Sequence, residues 1–199
     1  MKTLMLSLVL LSFCSQSVYA VAYCSLRDPI AQITQLFPNK SNQLSIVKNV
    51  DVDIRAQVKA ALPNNDLHFN ELGKHTLYVA MQNGQALGYV HVRSELSDWG
   101  LVEIVWAIDM NMRIKDFVFQ RCRSPEKAHV DNDNFKKMFI GKNYQDLKRL
   151  LKSDGVSANE TLIKQAPKAP ALANVVLRCA LKTLLITDLL WQKELDRFY

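Results

Sequence analysis

Thr76-Leu-Tyr-Val-Ala-Met81, Asn83-Gly84 and Ala86-Leu-Gly-Tyr-Val-His-Val-Arg93 together decide the fold of this chain. Two runs rich in β-branched and aromatic residues flank an Asn-Gly pair, and that pair tolerates the positive φ angles that a tight hairpin turn requires. A second pair of runs follows at once: Leu101-Val-Glu-Ile-Val-Trp-Ala-Ile108 and Arg113-Ile-Lys-Asp-Phe-Val-Phe119, joined through Asp109-Met-Asn111. Four antiparallel strands are therefore predicted at the centre. The two-residue period puts Tyr89, His91 and Arg93 on one face, where His91 is expected to be a polar surface residue.

On the N-terminal side, Asp28-Pro29 has the form of a helix start, and Ile30, Ile33, Leu36 and Phe37 recur at helical spacing up to Pro38. A second helix is predicted from Asp51 or Asp53 to Pro63, with Arg55 and Lys59 on its wet side. Beyond Pro125 the period is again helical: Phe135, Met138 and Phe139 form one face, and Tyr144, Leu147, Leu150 and Leu151 the next. Asp131 and Asp133 are placed to cap the first of these turns, and the polar stretch from Ser157 to Pro170 reads as a surface loop. A last helix is predicted from about Ala171 to Trp191. Asn174, Arg178 and Lys182 fall four apart on one of its faces, which suits an amphipathic helix packed on the sheet rather than a membrane anchor. The fold class is thus α+β: an antiparallel sheet of two hairpins packed against N-terminal and C-terminal helices.

The start of the chain predicts compartment. Met1-Lys2 is a short positive region, residues 3–14 form an apolar core, and Val18-Tyr19-Ala20 offers small residues for a signal peptidase. Residues 1–20 are read as a signal peptide and 21–199 as one domain of about 180 residues, placed in the periplasm or secreted, with no transmembrane anchor after cleavage. The formal charge of +6 loses only Lys2 with the signal, and the charged residues are interspersed, so nucleic acid is not an expected partner.

Chemistry-bearing patterns are sparse. His68, His75, His91 and His129 form no ligand pair at metal-binding spacing, and no Cys-x-x-Cys completes one. The Gly-x-Ser-x-Gly nucleophile turn is absent, and Asp98-Trp99-Gly100 is expected to be a turn between strands. No catalytic or metal-ligating residue is assigned, and a hydrolytic enzyme is not expected.

In its order of elements the chain resembles the FMN-binding domain family, known from extracytoplasmic subunits of the Rnf and sodium-pumping NADH:quinone oxidoreductase complexes. The likeness covers about residues 76–190 and is carried by Trp99-Gly-Leu-Val-Glu-Ile-Val-Trp-Ala-Ile-Asp109, by Arg113-Ile-Lys-Asp-Phe-Val-Phe119 and by Phe139-Ile-Gly-Lys142. Where the family has a Glu-Thr-Pro-Gly loop lining the flavin cleft, this chain has Arg123-Ser124-Pro125-Glu126. The family's final helix opens on Ser-Gly-Ala-Thr-x-Thr, whose first threonine can carry FMN, and the best match here is Arg178-Cys179-Ala180-Leu181-Lys182-Thr183. Leu181 has no hydroxyl, so a phosphoester there is chemically impossible. The resemblance implies noncovalent FMN held by Arg123, Ser124, Pro125, Arg178, Lys182 and Thr183, in electron transfer with an envelope redox partner. The alternative is a flavin-free accessory or binding module for a cell-envelope partner. The resemblance also places Cys122 and Cys179 along one cleft, where a disulfide would close a loop worth roughly 4 kcal/mol. A Cys24 to Cys122 bond, or a simply buried Cys179, stays open.

Overall fold

The computed structural model describes residues 28–68 and 71–198; the expected signal peptide and Cys24 lie outside the described residues. A first helix α1 (Ile30–Leu36) leads into strand β1 (Asn42–Val50), helix α2 (Val52–Ala61), and strands β2 (Gly73–Gln82), β3 (Gln85–Ser97), β4 (Gly100–Ile108) and β5 (Ile114–Arg121). Short helices α3 (Asp133–Lys136), α4 (Tyr144–Lys148) and α5 (Glu160–Ile163) precede the long α6 (Pro170–Leu195). The strands form one antiparallel sheet in the order β1-β2-β3-β4-β5.

The predicted hairpins are present. Asn83 and Gly84 both take positive φ, 52° and 83°, as the two-residue turn demands. The fifth strand, β1, is an addition to the expected four. It is an edge strand with Leu44 and Val47 exposed and only Val50 fully buried, so its sequence lacks the alternation that marks a half-buried strand. Asp51 caps α2 as expected, its carboxylate accepting from the Asp53 and Ile54 amides at 3.0 Å. Asn132, and not its acidic neighbours, caps α3, while Asp131 pairs with Lys127 and Lys136. The expected surface loop at 157–170 holds α5 and buries Leu162, Ala166 and Ala169.

Each face of the sheet has its own cover. Ala80, Val90, Val105, Ala107 and Val118 point to the face closed by Ile33, Leu36 and Phe37 of the α1 region. Gly88 lets Phe37 approach: a Cβ there would lie 2.5 Å from the Ile108 carbonyl oxygen and 2.9 Å from the Phe37 ring, at a φ of +150°. The other face presents Leu77, Val79, Tyr89, Ile104, Trp106 and Phe117 to α6. Because α2, α4 and α5 pack on the far side of α6, that helix is covered from both sides. Within its polar row Lys182 is therefore buried, while Arg178 stays partly exposed at the margin. At its C-terminal end, Trp191 donates to the Ile46 carbonyl at 3.2 Å and Lys48 pairs with Glu194 at 2.6 Å, fastening α6 to the edge strand. Among the described residues no helix is long and apolar enough to cross a membrane.

Candidate functional site

The two-residue period of β3 places His91, Arg93 and Glu95 in one row beneath α6, and the four-residue spacing of Arg178 and Lys182 places them in the facing row. The rows meet in a buried ion network. Lys182 Nζ lies 3.1 Å from Glu71 Oε2 and 3.0 Å from Glu95 Oε2. Arg93 Nη2 donates to Glu71 Oε1 at 2.5 Å, and Arg178 Nε stands 3.9 Å from Glu95 Oε1. Burial opposes ionisation of Glu71, but Arg93 and Lys182 outweigh it and hold the carboxyl below its ordinary value. Arg93, Lys182, Glu71 and Glu95 are almost wholly buried and balance, two cations against two carboxylates; the Arg178 side chain, 22% exposed, is the fifth charge.

His91 is fully buried, which corrects the surface role expected for it; Arg93 beside it is 2% exposed. The reason is the same inward packing of α6. Thr187 donates its hydroxyl proton to the Thr183 carbonyl at 2.7 Å, so at the 2.9 Å contact with His91 its oxygen accepts and His91 Nδ1 carries the hydrogen. His75 Nε2 donates to the Glu71 carbonyl at 2.9 Å and meets the His91 ring edge-on at 5.7 Å. Burial, reinforced by Arg93, pushes His75 down to about 4, and burial with the neighbouring His75 and Arg93 pushes His91 well below the usual range. Both rings are neutral at physiological pH.

Two clefts flank this network. The first, about 360 Å³, lies between the β3–β4 turn, the loop after β5 and the opening of α6; Asp98, Trp99, Ser124, Glu126, Asn174 and Arg178 face it. Trp99 is 56% exposed at its rim. The second, about 490 Å³, lies between the 63–68 segment and α6, and is bordered by Arg55, Asp66, Glu95, Arg178 and Lys182. Leu96 and Arg178 border both.

Of the six residues expected at a flavin, Ser124 and Arg178 come together in the first cleft. Arg123 and Pro125 are exposed and do not line it. Lys182 is bound into the ion network, and Thr183 donates to the Cys179 carbonyl at 2.6 Å inside the core. The reason lies in helix position. The final helix opens at Pro170, so residues 178–183 sit two turns inside it and do not form its opening; Ala171, Leu172, Asn174 and Val175 occupy that place and line the cleft. Cys122 and Cys179 are free thiols, Cys122 half-buried and Cys179 buried, with its sulfur accepting from the Trp106 indole at 3.4 Å. Burial, with Glu95 nearby, pushes the Cys179 thiol up to about 12.

Sequence reasoning missed Glu71, Glu95 and the two buried histidines. One signal was available: Arg178 and Lys182 interrupt a helix otherwise apolar on most sides, and charges in such a helix need buried partners. No family model matches the chain, and no curated protein matches it either.

Proposed function

We propose that the protein is an extracytoplasmic domain that holds FMN noncovalently in the cleft beside Trp99 and serves electron transfer rather than substrate turnover. The observation that carries this is the meeting of three segments remote in sequence: the turn bearing Trp99, the loop bearing Ser124, and the opening of α6. The cleft volume, about 360 Å³, falls within the usual range for cofactor sites. Trp99, Leu96 and Leu172 offer an aromatic and apolar wall for a planar ring. No side chain caps α6, and although Pro170 has no N–H and the Ala173 amide bonds the Ala169 carbonyl, the Ala171 and Leu172 amides keep their capacity for a phosphate, with the Ser124 hydroxyl and Arg178 nearby. Ser124 Oγ accepts from the Glu126 amide at 3.2 Å, which leaves its proton to donate. Bound flavin supplies one- and two-electron redox chemistry.

A flavin-free binding module for an envelope partner is the second reading. Asp98 and Glu126 favour it, because two carboxylates facing the cleft oppose a phosphate dianion there. Titration of purified protein into FMN, followed by flavin fluorescence, separates the two. Flavin holding predicts saturable quenching that weakens with Trp99→Ala and is poorer for riboflavin, which lacks the phosphate. No saturable change with FMN, and colourless protein as purified, would leave the flavin-free module.

A further inference from the structure

The second cleft holds a charge that its own walls do not neutralise. Among the described residues bordering it, Arg55, Arg178 and Lys182 stand against Asp66 and Glu95, while Arg93 and Glu71 behind them cancel. One positive charge is left over where partial burial makes an unpaired charge costly. It belongs to Arg178. Lys182 is shared between two carboxylates, and Arg55 is held by Asp66 at 3.2 Å and by the Leu67 carbonyl at 2.8 Å. Among the described residues Arg178 pairs ionically only with Glu95, at 3.9 Å and through Nε, and its two terminal amino groups make no hydrogen bond.

We propose that this cleft binds a small aliphatic monocarboxylate, gripped by the terminal amino groups of Arg178 in the bidentate manner natural to a guanidinium. Charge sets the class. A monoanion neutralises the surplus, whereas a dianion such as phosphate would leave excess negative charge beside Asp66 and Glu95. Shape sets the body of the ligand: Pro63, Leu96 and Val156 give the cleft an apolar side against which a short hydrocarbon chain packs. The wall is fixed, because Asn64 donates to the Asp154 carbonyl at 2.7 Å and Asn65 to the Gly155 carbonyl. Arg178 borders both clefts, so a carboxylate held by its terminal amino groups competes with a flavin phosphate for them, and the site is tested in protein free of added FMN.

The test is calorimetric titration of the purified protein with butyrate, acetate, 1-butanol and inorganic phosphate at constant ionic strength. Butyrate is expected to bind saturably, acetate more weakly, and butanol not at all. Arg178→Gln should weaken butyrate by roughly tenfold to a hundredfold, the scale of one charge-assisted hydrogen-bonding group. Arg55→Gln, on a half-exposed side chain outside the buried network, should weaken it several-fold while leaving the fold intact, and decides the matter if the Arg178 variant does not fold. Trp99→Ala should leave butyrate binding unchanged, which keeps this outcome separate from that of the FMN titration. Absence of saturable butyrate binding, unchanged affinity in the arginine variants, loss of binding in the Trp99 variant, or tighter binding of phosphate than of butyrate would each overturn the proposal.

Discussion

Acidification should loosen this protein well before its carboxylates are protonated, because two neutral histidines are sealed under α6. His75 has an ordinary value of 6.5 and is held at about 4 in the folded state. A lowered folded-state value means that the unfolded chain takes up the proton first. The stability that His75 contributes is therefore complete above about pH 6.5 and is lost as pH falls toward 4. Between pH 7 and 5 the linkage relation gives a loss of about 2 kcal/mol for this one ring. His91, lowered further by burial, adds a second loss of the same sign. Glu71, with an ordinary value of 4.5 and a lowered folded value, acts in the same direction only below that pH, so the window from 6.5 to 4.5 isolates the histidines. Against a total stability of roughly 5–15 kcal/mol the effect is large. Urea unfolding at pH 7, 6 and 5 should show a falling midpoint with an unchanged slope, and His75→Gln should flatten the dependence. Equal stability at pH 7 and 5, or a His75 ring that titrates near 6.5 by NMR, would refute the sealed-pair account.

Lys182→Met removes the cation shared by Glu71 and Glu95 and should cost about 3–5 kcal/mol in urea unfolding, as breaking one side of a buried pair does. Gly88→Ala should cost about 3 kcal/mol or more by the same assay, since the new methyl meets the Ile108 carbonyl and the Phe37 ring at a backbone angle that alanine disfavours. Alkylation of native, reduced protein should modify Cys122 well before Cys179, whose burial raises its thiol to about 12. In exported protein the Cys122–Cys179 bond that the resemblance implies would instead withdraw both thiols, and nonreducing peptide mapping tells the two states apart.

The parts of the fold that depend on local chemistry were legible. Asn83-Gly84 specifies its turn by φ alone, and Asp51 specifies a helix start by an oxygen in reach of two amides. β1 was not legible, because an edge strand with exposed Leu44 and Val47 carries no alternation for a period to detect. The position of residues 178–183 was not legible either. A six-residue motif match says nothing about where its helix begins, and Pro170, the natural first-turn residue, marks an opening eight residues earlier.

The hidden part of the site has a different cause. His91, Arg93 and Glu95 alternate with Val90, Val92 and Ser94 along β3, a pattern that in an isolated sheet means one wet face. Asn174, Arg178 and Lys182 make the same suggestion for α6. Each polar row alone predicts solvent, and the two predictions can be exchanged for a single one only if the rows face each other. A test of mutual compensation was available in the residue types: the rows together with Glu71 contain alternating charge, Arg93, Glu71, Lys182, Glu95 and Arg178, which is the order in which the network joins them. What sequence could not supply is the packing of α2, α4 and α5 over α6, which turns a wet stripe into a buried one. Those helices are short or distant in the chain, and the covering is a property of their joint packing rather than of any one period. The same closure leaves Arg178 at the margin, partly exposed where Lys182 is not, and so sets a place where the buried network can be addressed from outside.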